Sequence, residues 1–324
     1  MSVRCSHPAL ARTFPASLTL AVALAGSIPT PLDAADDRTT LKLTLRSRKS
    51  VKQEGIPDAD TLVREQVVWQ PKQTALIICD MWDGHWCKGA ARRVGEMAGP
   101  MNKVVHTARD KGMLIIHAPS SVVDYYAGTS QRQMALEVPF VKTPIPLSKK
   151  QRWGTGWCWP DPKREPGMPI DDSDMGCDCD VLCKLPAPGV SPWTRQIKTI
   201  DIKQGDAISH DGQEVYNLLA RRNIDNVLIM GVHLNMCVLG RPFGIRQMVH
   251  VGKNVVLVRD MTDTMYNHRM KPFVNHFRGT DLVVEHIEKY WCPTVTSDQF
   301  AGGRPFRFTE HPNDGNDRPS IPNK

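Results

Sequence analysis

The stretch NVLIMGVHLNMCV, residues 226–238, decides the fold. Val227 to Met230, with Val232 beyond the glycine, form an apolar run of the length of a buried strand, and Gly231 lets the backbone turn tightly at its end. A turn follows, and then Cys237, placed where a helix over residues 238–250 is expected to begin. The free N–H groups and the positive dipole end of a helix start favour thiolate over thiol. A cysteine after a strand also reads as one more buried core residue. The segments on either side have to discriminate.

Toward the N-terminus, TALIICD (residues 74–80) is a second apolar strand, and it ends on an acid. The loop DGHWCKGAARR leads into a helical pattern over residues 94–111 with Gly112 as its C-cap, then MLIIH (113–117) reads as another buried strand and a short helix falls near 129–136. RQIKTIDIK (195–203) reads as the next strand, followed by a helix over 212–222 with Val215, Leu218 and Leu219 on one face. Beyond Cys237, NVVLVRD (254–260) and DLVVEHI, from Asp281, read as the fifth and sixth strands. Strands alternating with helices at this spacing imply an α/β fold: three layers, α/β/α, around a mostly parallel sheet of about six strands joined by right-handed crossovers. Sites in such sheets form at the carboxyl ends of the strands. Asp80, His117, the residues after Ile202 and Cys237 share that address, which four unrelated core residues would not.

The flanking segments differ. Residues 1–34 carry Arg4 and Arg12 ahead of an apolar run from about Ala16 to Ile28, then small residues at Ala34 and Ala35, the pattern of a signal peptide. The run is broken by Thr19, Gly26 and Ser27, short of a membrane span. The expectation is therefore a secreted or periplasmic protein with no membrane partner after signal removal. Residues 35–72 alternate apolar and polar positions as a β extension, residues 73–300 form the main domain, and 301–324 read as a loosely held tail. Residues 138–193 turn rich in Pro, Trp, Gly, Asp and Cys and read as an insertion. Within it, PIDDSDMGCDCDVLC sets Cys177, Cys179 and Cys183 among aspartates. That spacing fits neither an EF-hand loop nor paired Cys-x-x-Cys zinc ligands, so the expected arrangement is a disulfide-stapled cap, with a metal site the alternative. A net charge of +7 is scattered among acids, and no nucleic-acid-binding pattern is present.

With these segments in hand, the chain resembles the isochorismatase-like cysteine hydrolases, the superfamily that includes nicotinamidases. Two motifs carry the resemblance: TALIICDMWDGHWCKGA as the first strand and its loop, and NVLIMGVHLNMCV as the nucleophile strand and turn. The resemblance implies an Asp/Lys/Cys triad, with Asp80 and Cys237 in the first and last roles and Lys203 in the second, Lys198 being the runner-up. Asp80 would take the thiol proton, the ammonium would favour the charged forms, and Cys237 would attack a carbonyl carbon. It also implies a cis peptide between Val232 and His233, with backbone N–H groups near His233 and Cys237 holding the oxyanion. The substrate side falls to Trp82, His85, His117, His233 and Arg241. Arg241 could hold a substrate carboxylate or form a surface ion pair; Trp153, Trp157 and Trp159 could roof the site or pack the insertion on the body. HAPSSVVDYY lacks the Asp-x-His of the nicotinamidase metal site, so neither a catalytic metal nor a cofactor is expected. The implied function is hydrolysis of a small-molecule amide, ester or related bond, with self-association common among such proteins. The competing readings are a non-catalytic binding or scaffold protein on the same fold and, through Asp80 and Asp83 in DMWDG, a phosphatase.

Overall fold

The computed structural model describes residues 40–53, 56–145 and 157–312. The signal-peptide segment, Trp153 and the end of the tail lie outside them. Strand β1 (Leu41–Gln53) and β2 (Ile56–Trp69) make an antiparallel hairpin; then come β3 (Thr74–Cys79), α1 (Lys88–Asp110), β4 (Leu114–Ala118) and α2 (Ser130–Glu137). After the insertion follow β5 (Ala207–Ile208), α3 (Gly212–Arg221), β6 (Asn226–Val232), α4 (Ile245–His250), β7 (Asn254–Asp263), α5 (His276–Tyr290), β8 (Thr294–Val295) and α6 (Asp298–Ala301). The sheet order is β2-β1-β8-β7-β6-β3-β4-β5. The six strands from β8 to β5 are parallel, and the hairpin adds two antiparallel strands at one edge. Among the described residues the sheet thus has eight strands, where about six and a β extension were expected, and the class is the expected α/β.

Every residue of β3 and β6 is buried, as expected of parallel strands covered on both faces. The two faces feed separate cores. Ala75 and Ile77 pack with Val215, Leu218 and Leu219 of α3 and Val283, Val284 and Ile287 of α5. Leu76 and Ile78 pack with Val94, Met97, Met101 and Val105 of α1 and Phe300 of α6. This alternation along one strand is the three-layer arrangement.

Three sequence expectations fail, each for a physical reason. RQIKTIDIK forms no strand, apart from a single bridge between Gln196 and Trp82; the strand is the two-residue β5 further on. DLVVEHI lies inside α5, whose buried Phe277, Val283, Val284 and Ile287 follow helical spacing across a longer window than the apolar run itself. The tail is held at least to Pro312: Phe308 is buried, Thr309 donates to Glu96 and Glu310 pairs with Arg92.

Register fixes the site. Cys79 pairs with Ala118 on one side and Gly231 on the other, so β3, β4 and β6 end level with one another. Gly231 has φ 111°, and a Cβ there would lie 2.0 Å from the Cys79 carbonyl oxygen, so no other residue allows this approach.

Candidate active site

Asp80 leaves β3 with φ 48°, a left-handed conformation that aspartate tolerates better than most residues. Its carboxylate is fully buried, and Oδ1 accepts a hydrogen bond from the Ser120 N–H at 2.6 Å. Among the described residues Oδ2 has no hydrogen-bond partner, and it faces the Arg241 guanidinium, with Nε at 3.6 Å. Burial raises the Asp80 pKa, opposed by Arg241, the Cys237 side chain and Ser120.

Beyond β6 the Val232–His233 peptide is cis, at the bond the resemblance implied. Residues Leu234–Val238 then form one π turn, closed by the Val238 N–H donating to the His233 carbonyl at 3.2 Å. Cys237 lies inside this turn, not at the start of an α-helix, so the dipole argument for a resting thiolate does not apply. Burial, with the Asp80 charge second, pushes the Cys237 thiol up, and Arg241 works against both. The resting group is a thiol, 8% exposed, with a carboxylate and a guanidinium acting on it. The helix expected over 238–250 is interrupted at GRPFG, where Pro242 and Gly244 delay α4 to Ile245. That interruption leaves Arg241 on a bend, its N–H donating to the Cys237 carbonyl at 2.9 Å and its guanidinium turned back to Asp80.

The expected lysine does not supply the cation. The Lys203 side chain is 52% exposed and pairs with Asp201 at 3.7 Å, while Lys198 is exposed on the same segment. The assignment followed from taking RQIKTIDIK as a strand. With the strand at β5, the slot just past its end holds Ser209 and His210, and His210 accepts from the Ser121 N–H at 3.0 Å. Burial lowers the His210 pKa, and Arg241 is the next cause. Arg241 is thus neither the surface pair nor only the carboxylate holder considered above: it is the charge paired with Asp80.

The loop after Asp80 forms an aromatic wall. Trp82 stacks on Trp193 of the insertion with centroids 4.1 Å apart, His85 stacks on the same ring at 5.5 Å, and His233 meets His85 edge-on at 4.9 Å. His85 Nδ1 accepts from the Cys87 N–H at 3.1 Å, and burial holds its pKa down to about 4, so the ring is neutral near pH 7. Trp157 covers the other side, its ring 5.4 Å from the Arg241 guanidinium carbon and so close to Gly240 that a Cβ there would lie 2.5 Å away. Trp159 is 61% exposed and roofs nothing. His117 belongs elsewhere: fully buried, it bridges Gln196 at 2.9 Å and Asp206 at 3.2 Å and holds the segment before β5 in place. Asp83 accepts from the Thr194 N–H at 2.8 Å and its hydroxyl at 2.7 Å, so it forms no carboxylate pair with Asp80 and the phosphatase reading lapses.

Five buried polar atoms in this neighbourhood have no hydrogen-bond partner among the described residues: Asp80 Oδ2, Ser120 Oγ, Trp193 Nε1, His233 Nε2 and Arg241 Nε. Such atoms are costly to leave unmade. A polar ligand bound beside Asp80 and the loop that follows it would satisfy them. Ser120, Trp193 and His210 were absent from the sequence expectations, because only the sheet register and the folded insertion bring them to Asp80, to the Trp82–His85 loop and towards Arg241.

The described cysteines form no disulfide. The stapled cap is therefore corrected: Cys177, Cys179 and Cys183 gather with Cys87 as a group of four thiols.

No family model matches the chain, and no curated protein does. Among solved structures it is similar to a cysteine hydrolase from Pseudomonas syringae pv. phaseolicola 1448A, at 16% identity and TM-score 0.44, covering 72% of this chain and 92% of that one. An isochorismatase family protein from Burkholderia thailandensis matches at 14% identity and TM-score 0.39, covering 71% and 94%. N-carbamoylsarcosine amidase from Thermoplasma acidophilum matches at 14% identity and TM-score 0.34, covering 70% and 97%. Similarity at this level carries no argument about activity, which rests on the side chains above.

Proposed function

We propose that the chain is a cysteine hydrolase of small amides or esters in which Cys237 is the nucleophile, Asp80 the proton acceptor and Arg241 the cation. The observation that supports it most is the buried carboxylate of Asp80, one oxygen fixed by Ser120 and the other facing the Arg241 guanidinium without a hydrogen bond among the described residues, acting on a buried thiol. On attack, the thiol proton passes to Asp80 as the sulfur–carbon bond forms, and Arg241 stabilises the charge spread over sulfur and carboxylate. Collapse of the adduct breaks the carbon–nitrogen or carbon–oxygen bond, and Asp80 returns its proton to the leaving group. Water then attacks the thioester carbonyl carbon, giving a proton to Asp80; the carbon–sulfur bond breaks, the acid leaves, and Asp80 returns the proton to the sulfur as the free thiol. A guanidinium keeps its charge throughout, whereas an ammonium can lose it when buried. Export belongs to the same proposal and rests on residues 1–35; N-terminal sequencing of protein recovered from outside the cytoplasm should start near Ala35, and retention of the protein in the cytoplasm with Met1 intact would overturn it.

The test uses p-nitrophenyl acetate as an activated ester. The wild-type protein should release a burst of nitrophenolate equal to the protein present and carry an acetyl group on Cys237 by peptide mapping, both lost in Cys237→Ala. An undiminished burst in Cys237→Ala, or no acetylation at Cys237, would overturn the hydrolase reading and leave a binding protein on the same fold.

A further inference from the structure

Cys177, Cys179 and Cys183 come from one turn of the insertion, and Cys87 stands at the N-cap of α1 on the loop that begins at Asp80. Their four Sγ atoms all lie within 4.8 Å of one another. Cys87 and Cys179 are 3.8 Å apart, Cys179 and Cys183 3.7 Å. A tetrahedral ion with bonds of about 2.3 Å to sulfur sets its ligands about 3.8 Å apart along each edge. A disulfide needs about 2.05 Å, and an iron–sulfur cubane, with its own irons and sulfides between the ligands, holds its cysteines farther apart than one ion does.

The surroundings suit thiolates. Backbone N–H groups donate to three sulfurs: Gly89 to Cys179 at 3.2 Å, Lys88 to Cys183 at 3.4 Å, and Cys183 to Cys177 at 3.4 Å. A Cβ at Gly89 would lie 3.3 Å from the Cys179 sulfur and 2.9 Å from Asp178 Oδ1, so a glycine keeps this cradle open. Lys88 and Arg92 line the adjoining cavity of about 480 Å³, and the buried Arg93 pairs with Asp178 at 2.7 Å. Arg92 and Arg93 are already paired with Glu310, Asp178 and Asp263, so the double negative charge of one divalent ion with four thiolates is offset chiefly by the three backbone N–H donors, with Lys88 beside them. All four tetrahedral positions are protein sulfurs, which describes a closed structural site and not a catalytic one.

We propose that Cys87, Cys177, Cys179 and Cys183 bind one zinc ion, which fastens the insertion to the loop carrying Trp82 and His85. Binding exchanges the four thiol protons for one Zn²⁺, with no change of oxidation state. Cys87 is the link to the thiol site, since its N–H holds the His85 ring. The site stands whether or not Cys237 is a nucleophile.

Full-length protein from zinc-replete cells should retain about one zinc per chain through dialysis and release it on titration with a thiol mercurial. Replacing zinc with Co²⁺ should give the visible ligand-field bands of a tetrahedral thiolate site. The Cys179→Ser/Cys183→Ser double variant should lose both properties, and Cys158→Ser, whose sulfur donates to Gln247 instead, should keep them. Should the double variant not fold, the wild-type cobalt spectrum decides. No zinc above background in the wild type, iron in its place, or disulfides among these four cysteines in a non-reducing peptide map would each overturn the proposal.

Discussion

Arg241→Met removes the positive charge paired with Asp80 while keeping an unbranched side chain of similar reach. At 3.6 Å, Coulomb's law with an effective dielectric of about 20 gives an attraction of about 4.6 kcal/mol between guanidinium and carboxylate. The variant also escapes the cost of burying the guanidinium, so roughly half of that figure should survive as lost transition-state stabilisation. About 2.3 kcal/mol corresponds to roughly a fiftyfold fall in the acylation rate with p-nitrophenyl acetate. The pH profile should move with it. Arg241 lowers the Asp80 pKa against burial, so its removal lets that pKa rise further. Asp80 must be ionised to accept the thiol proton, so the acidic limb of the profile should shift to higher pH. Arg241→Lys should recover most of the rate, because a charge remains near Oδ2. The reasoning fails if Arg241→Met acylates within about threefold of wild type, under roughly 0.7 kcal/mol, with its acidic limb unmoved and its melting temperature unchanged.

Other outcomes follow from the same geometry. Asp80→Asn leaves an amide that cannot accept the thiol proton, and acylation should fall by about 10²–10⁴-fold; a burst rate near wild type would remove Asp80 from its role. Gly231→Ala puts a methyl group 2.0 Å from the Cys79 carbonyl at φ 111°, which should cost more than about 4 kcal/mol in urea melts; a loss under about 1 kcal/mol would mean that the strands part easily. Glu165, buried between Arg246 at 2.8 Å and His286 at 2.8 Å, has its pKa lowered to about 2 from 4.5 by those partners against burial. A depressed carboxylate contributes stability that is present above about pH 4.5 and lost as pH falls through about 2, here on the order of 3 kcal/mol. Urea melts from pH 7 to pH 2 should show that slope in wild type and a flatter one in Glu165→Gln; equal slopes would contradict it.

How much of this was legible in the sequence depends on how local the signal is. β3 and β6 are continuous apolar runs buried on both faces, so they announced themselves, and with them Asp80 and Cys237 at their ends. β5 is only two residues long and carries no periodicity, whereas the alternation in RQIKTIDIK imitates a strand that tertiary packing does not use. From that misplacement came the lysine. The Val-Val in α5 failed in the opposite way: a β-branched pair reads as strand over six residues and as helix over fifteen. Arg241 was in view but not in role, because its direction depends on the break that Pro242 and Gly244 impose. Three of the four grouped cysteines were in view, with a metal site as the alternative to a disulfide cap, but Cys87 was missed for a simpler reason, since it lies 90 residues before Cys177 and no ligand spacing connects them.

These separate failures share a location. The insertion without periodicity touches the site at two ends: Trp157 lies against Gly240 and Arg241, and the cysteine turn reaches the loop that holds His85. Between them Trp193 stacks on Trp82 and His85. The core sheet therefore positions a nucleophile and its base, while the insertion supplies the walls and sits against the cation. A shortened insertion would leave the cores beneath β3 and β6 intact yet open the thiol to water and free the Arg241 side chain. Deleting it should thus cost activity well before it costs the fold, which a far-ultraviolet circular dichroism spectrum alongside the nitrophenolate burst would show. A loss of folded structure in step with activity would instead make the insertion part of the core, through Glu165 and its buried partners Arg246 and His286.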